Sequence, residues 1–130
     1  MYSFSESSRI KLLQADDRLQ LIAFEAIEFI DFTVLETLRT QERQKELFDE
    51  GKTNTMNSKH LIKPKSKAID VVPYPINWDY LPSFYYLAGV WMSIAGRHNI
   101  NLRWGGNWRK DNNFKDNDFM DLVHFEIVGA

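Results

Sequence analysis

Two kinds of apolar periodicity share this chain, and together they predict an α+β fold: one domain in which a small, mainly antiparallel sheet packs against helices. The first is helical. Leu19, Ile22, Ala26, Ile27 and Ile30 recur at helical spacing, as do Phe84, Leu87, Ala88, Trp91, Ile94 and Ala95. The second has period two, with Val123, Phe125 and Ile127 alternating against His124, Glu126 and Val128. That alternation predicts a half-buried strand with His124 and Glu126 on the face opposite the three apolar side chains.

The remaining elements follow from local chemistry. Ser5 or Ser7 can cap a first helix reaching roughly Gln14, with Ile10, Leu12 and Leu13 as its apolar members. Asp16 and Asp17 stand where a cap and a favourable dipole charge belong at the start of the second helix. Phe32 to Thr37 is β-branched and aromatic, as strands are. Thr40 can cap a helix over Gln41 to Glu50, which Gly51 ends. Lys52 to Lys67 is polar and reads as a long loop, Ala68 to Val72 as a short apolar strand, and Asn101 to Trp104 as another before the Gly105-Gly106 turn.

Composition limits the function classes. The 130 residues suit a single domain, 44% hydrophobic and 26% charged, which is ordinary for a folded globular protein. Sixteen basic and eighteen acidic side chains leave a net charge of −2, so a nucleic-acid partner is not expected. The absence of cysteine excludes disulfides, thiolate metal sites and cysteine nucleophiles. The first residues lack the basic start and apolar stretch of a signal peptide, and no run is long enough to span a bilayer. The expectation is a monomer made in the cytoplasm without stable membrane association.

Chemistry-bearing residues gather in three strings: Ser58-Lys59-His60, Ala68-Ile69-Asp70-Val71-Val72-Pro73 and Asp121-Leu122-Val123-His124-Phe125-Glu126. Asp70 sits in an apolar strand and needs a partner, because an unpaired buried carboxylate is costly. His60, Asp70 and His124 offer two imidazoles and one carboxylate, a common three-ligand set for catalytic zinc. Such histidines are also often structural, and spacing alone does not decide between the two readings. Residues three apart on a regular strand face opposite ways, so Asp121 can join His124 only if the strand begins at or after Leu122. The oxygen-rich stretch from Asp111 to Asp118 could hold Ca2+, although it lacks the glycine and terminal glutamate of an EF-hand loop.

Thr37-Leu38-Arg39-Thr40-Gln41-Glu42-Arg43-Gln44, Met56-Asn57-Ser58-Lys59-His60, Ala68 to Pro73, Trp104-Gly105-Gly106-Asn107-Trp108 and Asp121 to Glu126 occur in this order over nearly the whole chain. In these strings the chain resembles the zinc-dependent L-alanyl-D-glutamate endopeptidases of bacteriophage endolysins, relatives of D-alanyl-D-alanine carboxypeptidases and vancomycin-resistance dipeptidases. The resemblance implies one Zn2+ on His60, Asp70 and His124, with Asp121 as catalytic acid and base in a cleft on the open face of the sheet. It also implies Arg39, Ser58, Trp104 and Trp108 at the substrate, core packing being an equal reading for the two tryptophans, and bacterial peptidoglycan as that substrate. It further implies one catalytic domain over residues 1–130 with no separate wall-binding domain, reaching the wall through a membrane lesion. Nine residues, Leu61 to Ile69, separate His60 from Asp70, more than the family pattern has, so Lys63-Pro64-Lys65 reads as a small insertion. The same metal chemistry would serve a D-alanyl-D-alanine carboxypeptidase or dipeptidase, and a wall-binding module with a structural metal is a third reading.

Overall fold

The computed structural model describes residues 2–53, 56, 58–61, 63–108, 110 and 121–129. Four helices, α1 (Glu6–Leu12), α2 (Asp17–Ala26), α3 (Gln41–Asp49) and α4 (Leu81–Arg97), accompany four strands, β1 (Phe32–Glu36), β2 (Ala68–Pro73), β3 (Leu102–Gly105) and β4 (Asp121–Ile127). The strands form one sheet in the order β1-β2-β4-β3 with every neighbouring pair antiparallel. The α+β expectation therefore holds.

Capping explains where the helices start. Ser5 Oγ accepts from the Ser8 amide at 3.1 Å, Asp16 Oδ1 from the Arg18 amide at 2.9 Å, and Thr40 Oγ1 from the Arg43 amide at 3.1 Å. Each bond satisfies an amide that the first helical turn leaves without a carbonyl. Gly51, at φ 74°, supplies the left-handed residue after α3. α1 is shorter than its sequence suggests, because Leu12 is buried while Ile10 and Leu13 are each 56% exposed.

The core lies on one face of the sheet. Ile69 and Val71 of β2, Leu102 and Trp104 of β3, and Phe125 and Ile127 of β4 meet Leu87, Trp91 and Ile94 of α4 and Leu19 and Ile22 of α2. Trp91 stacks on Phe125 at 4.9 Å and meets Phe32 edge-on at 5.7 Å, both favoured ring geometries.

The long polar segment before β2 is fastened at the end that enters the strand. A single 3-10 turn, Lys59–Leu61, interrupts it. Ser66, fully buried, donates its amide to the Gln14 carbonyl and accepts the Asp16 amide, both at 2.8 Å. Lys65 reaches Asp17 at 2.5 Å. Lys65 and Ser66 thus tie the end of this segment to the corner between α1 and α2.

Candidate metal centre and active site

The 3-10 turn carries the first imidazole into the protein. The His60 amide donates to Ser58 Oγ at 3.2 Å, and the Arg39 amide donates to the His60 carbonyl at 2.9 Å, which docks the turn on the segment after β1. His60, fully buried, points Nδ1 at the Thr37 carbonyl 2.6 Å away. A carbonyl only accepts, so Nδ1 carries the proton and Nε2 presents its lone pair to the site in the neutral ring.

The second imidazole comes from β4, where Asp70 and His124 are register partners across the β2–β4 ladder. His124 Nε2 lies 2.9 Å from Glu126 Oε1 and donates to it, which turns Nδ1 toward Asp70. Asp70 Oδ1 sits 3.2 Å from His60 Nε2 and 3.1 Å from His124 Nδ1. The two rings are 5.1 Å apart and nearly perpendicular.

These three side chains fit a divalent cation. One ligand atom from each of His60, Asp70 and His124 lies within 4.8 Å of the others. Tetrahedral ligands about 2.0–2.1 Å from a common ion stand about 3.3 Å apart, close to the Asp70–imidazole separations here. The outer nitrogen of each ring is committed to an acceptor, the arrangement that fixes tautomer and aim in metal-binding histidines.

Charge supports the same conclusion. Burial opposes ionisation of Asp70, but the two imidazoles overcome it and hold its carboxyl far below the usual range. Burial likewise opposes charge on His124, yet hydrogen bonds to Asp70 and Glu126 prevail and carry it up to about 9. The pocket therefore stabilises positive charge at the spot a cation would fill, and a cation binding there would displace the His124 proton.

Asp121 behaves in the opposite way. Burial raises its carboxyl pKa, the Asp70 charge adds to the rise, and His124, His60 and Arg39 oppose it. The expected position of this residue needs correcting. β4 begins at Asp121 itself, not at or after Leu122. What lets Asp121 and His124 share a face is a break in the ladder: Trp104 pairs with Phe125, but the next residue, Gly105, pairs with Asp121. Leu122, in place of the expected Val123, packs against the core, so the inward–outward alternation slips by one. Gly105 is required at that point, since a Cβ there would lie 2.0 Å from the Asp121 carbonyl oxygen.

Arg39 reaches the site, but its guanidinium is already engaged. Nε donates to Glu36 Oε1 at 3.0 Å, Nη2 pairs with the same oxygen, Nη1 donates to Gln44 at 2.8 Å, and Nη2 stands 3.6 Å from Asp70 Oδ2. Ser58 braces the His60 turn by accepting the His60 amide. Of the two readings of Trp104 the structure favours core packing over a cleft wall: it is 3% exposed within the core and donates Nε1 to the Leu122 carbonyl at 2.8 Å. It supports the cleft from beneath and forms no wall. Trp108 is half-buried with its ring 5.4 Å from that of His124, as a wall should be. The candidate Ca2+ loop, 111–118, lies outside the described residues. Thr37, Glu36, Gln44, Glu126 and Arg103 escaped the sequence reading as site residues; the Arg103 and Glu126 strand positions were the available signal.

The family model of the phage L-alanyl-D-glutamate peptidases matches residues 1–128. The chain belongs to that family. The peptidase is also similar to solved structures. The Serratia marcescens L-Ala D-Glu endopeptidase ChiX superposes with a TM-score of 0.76 at 26% identity, over 95% of this chain and 88% of that one. The vancomycin-resistance D,D-dipeptidase VanXYg, solved with a D-Ala-D-Ala phosphinate analogue, gives 0.53 at 16% identity, over 88% of this chain and 49% of that one, and shares the fold. A comparison with curated protein sequences gives no match. The peptidase is hydrolytic, and among the described residues no helix is long and apolar enough to cross a membrane.

Proposed function

We propose that this peptidase hydrolyses the amide between L-alanine and D-glutamate in peptidoglycan stem peptides, with one Zn2+ on His60, Asp70 and His124 and Asp121 as the proton carrier. The observation that carries this reading is the convergence of His60, Asp70 and His124, with the half-buried Asp121 close enough for its carboxyl to feel the charge of all three, burial and the Asp70 charge raising its pKa. Zn2+ suits a donor set of two imidazoles and one carboxylate, which leaves a fourth position for water or substrate. When bound, such a cation supplies the positive charge that acidifies an attacking water and polarises the scissile carbonyl.

The side chains do the rest. Asp121 accepts the proton of the attacking water and returns it to the departing amine, a role suited to a carboxyl whose pKa is raised toward the working pH. Arg39 holds the second oxygen of Asp70, and the part of its fork not spent on Glu36, Gln44 and Asp70 meets a substrate carbonyl or carboxylate. Trp108 lines the approach to His124. In a phage cycle this reaction would lyse the host wall once the protein crosses the inner membrane through a lesion.

Asp121→Asn tests the assignment. It keeps the size and removes the proton acceptor, so kcat on purified peptidoglycan falls by about 10²–10⁴-fold while metal uptake and circular dichroism stay as in the wild type. Mass spectrometry of wild-type digests finds stem peptides severed after L-alanine. Full activity in Asp121→Asn, or free D-alanine as the product, overturns the reading.

A further inference from the structure

Behind His124 the side chains close a circuit. Glu126 receives His124 Nε2 on one oxygen at 2.9 Å and Arg103 Nη2 on the other at 2.9 Å, with Lys59 Nζ 3.6 Å away. Arg103 and Glu126 face each other as register partners across β3 and β4. The Arg103 guanidinium carbon also lies 5.9 Å from the centre of the Trp108 ring, and that ring in turn stands 5.4 Å from the His124 ring.

One cation therefore touches two things the site depends on. It fixes the carboxylate that sets the aim of the second imidazole, and it lies against the aromatic side chain beside that imidazole. We propose that Arg103 is a positioning residue that couples the aim of His124, through Glu126, to the placement of Trp108. The proposal rests on the metal site and the peptidase reaction given above.

The physical reason lies in the shape of the group. A planar guanidinium can grip a carboxylate by its edge while its face lies along an aromatic ring, which an ammonium cannot do equally well. Without it Glu126 keeps His124 on one oxygen and only Lys59, at 3.6 Å, on the other, so Glu126 and the His124 ring it holds are freer to turn together. Trp108 loses its cationic neighbour at the same time. Loss of a partner behind a metal-binding histidine typically costs 10–100-fold in metal affinity.

The test uses the full chain with Zn2+ and Co2+, by chelator competition, and a synthetic L-alanyl-D-glutamyl stem peptide for kinetics. Arg103→Met is expected to weaken metal binding about tenfold and to raise KM as well. Arg103→Lys restores the charge opposite Glu126, so its metal affinity returns to within about threefold of wild type, while KM stays raised because the planar contact with Trp108 is gone. Trp108→Phe raises KM and leaves metal affinity unchanged. A folded Arg103→Met with wild-type affinity and KM overturns the coupling, and so does an Arg103→Lys that loses metal as Arg103→Met does. If Arg103→Met does not fold, Arg103→Lys decides the matter alone: a raised KM with metal affinity near wild type supports the coupling, and a wild-type KM or a loss of metal affinity of about tenfold overturns it. A wild-type protein that binds no divalent ion overturns the metal site and this inference with it; one that binds metal but leaves the stem peptide intact overturns only the reaction, and the metal titrations still read the coupling.

Discussion

Along β2, Ile69 and Val71 are fully buried against α2 and α4, while Asp70 between them faces His60, His124 and Arg39. The core face holds together by area and shape: Trp91, Phe125, Leu87 and Ile127 fill it with almost no polar atom to satisfy. On the other face Arg39, His60, Asp70, His124 and Glu126 are each held by a named partner, since charge in such surroundings is tolerated only when paired. The two faces should therefore fail differently. Changes to the first cost stability, and changes to the second cost binding and chemistry while the fold persists.

The largest expected effect probes the apolar side. Trp91→Ala removes the ring that joins Phe32 to Phe125 and should cost about 3–5 kcal/mol in urea unfolding. A loss under about 1 kcal/mol would show that the core does not depend on this ring.

Gly105→Ala addresses the seam between the faces. Its new methyl would meet the Asp121 carbonyl, so Asp121 must move while Trp104 and Phe125 stay seated. A displacement of about 1 Å costs on the order of 10²-fold in rate, to be read as kcat on peptidoglycan beside an unfolding midpoint that changes far less. Equal losses in both would mean that seam and core are one unit.

The smallest effect lies away from both faces. The side-chain hydrogen bond from Arg18, helped by its amide and charge and by Lys67, outweighs burial and lowers Asp16 to about 2. A carboxylate whose folded pKa is depressed adds stability above its unfolded pKa and loses it as pH falls through the folded one. Stability should therefore drop by about 1–2 kcal/mol between pH 4 and pH 2, a range discounted for the partly exposed Arg18. Asp16→Asn, which can still cap α2, should make the acid-unfolding slope shallower by that amount, leaving the part due to Asp70 and Glu126 and leaving activity alone.

How much of this was legible in the sequence differs between the faces too. Periodicity located the core: Leu19, Ile22, Leu87, Trp91, Phe125 and Ile127 are all buried as their spacing predicts. Cap chemistry located the helix starts at Ser5, Asp16 and Thr40. The convergence of His60, Asp70 and His124 was a candidate from residue type alone, in a chain with three histidines, and the resemblance of the ordered strings to the family settled the expectation. The seam was not readable. Alternation assigned Val123 inward, whereas the ladder slips so that Leu122 packs there, and no local propensity records a slip imposed by a neighbouring strand. Trp104 stayed open between wall and core for a related reason: a tryptophan beside glycines resembles a cleft wall until strand register puts it inward.

The two imidazoles differ in how they are restrained. His60 leans on a peptide oxygen, that of Thr37, so no exchange of the side chain at position 37 can delete its acceptor; only shifting the main chain would. His124 leans on the Glu126 carboxylate, which a single codon change can erase. Random mutation should accordingly retune this centre through its β4 ligand far more often than through the ligand of the 3-10 turn.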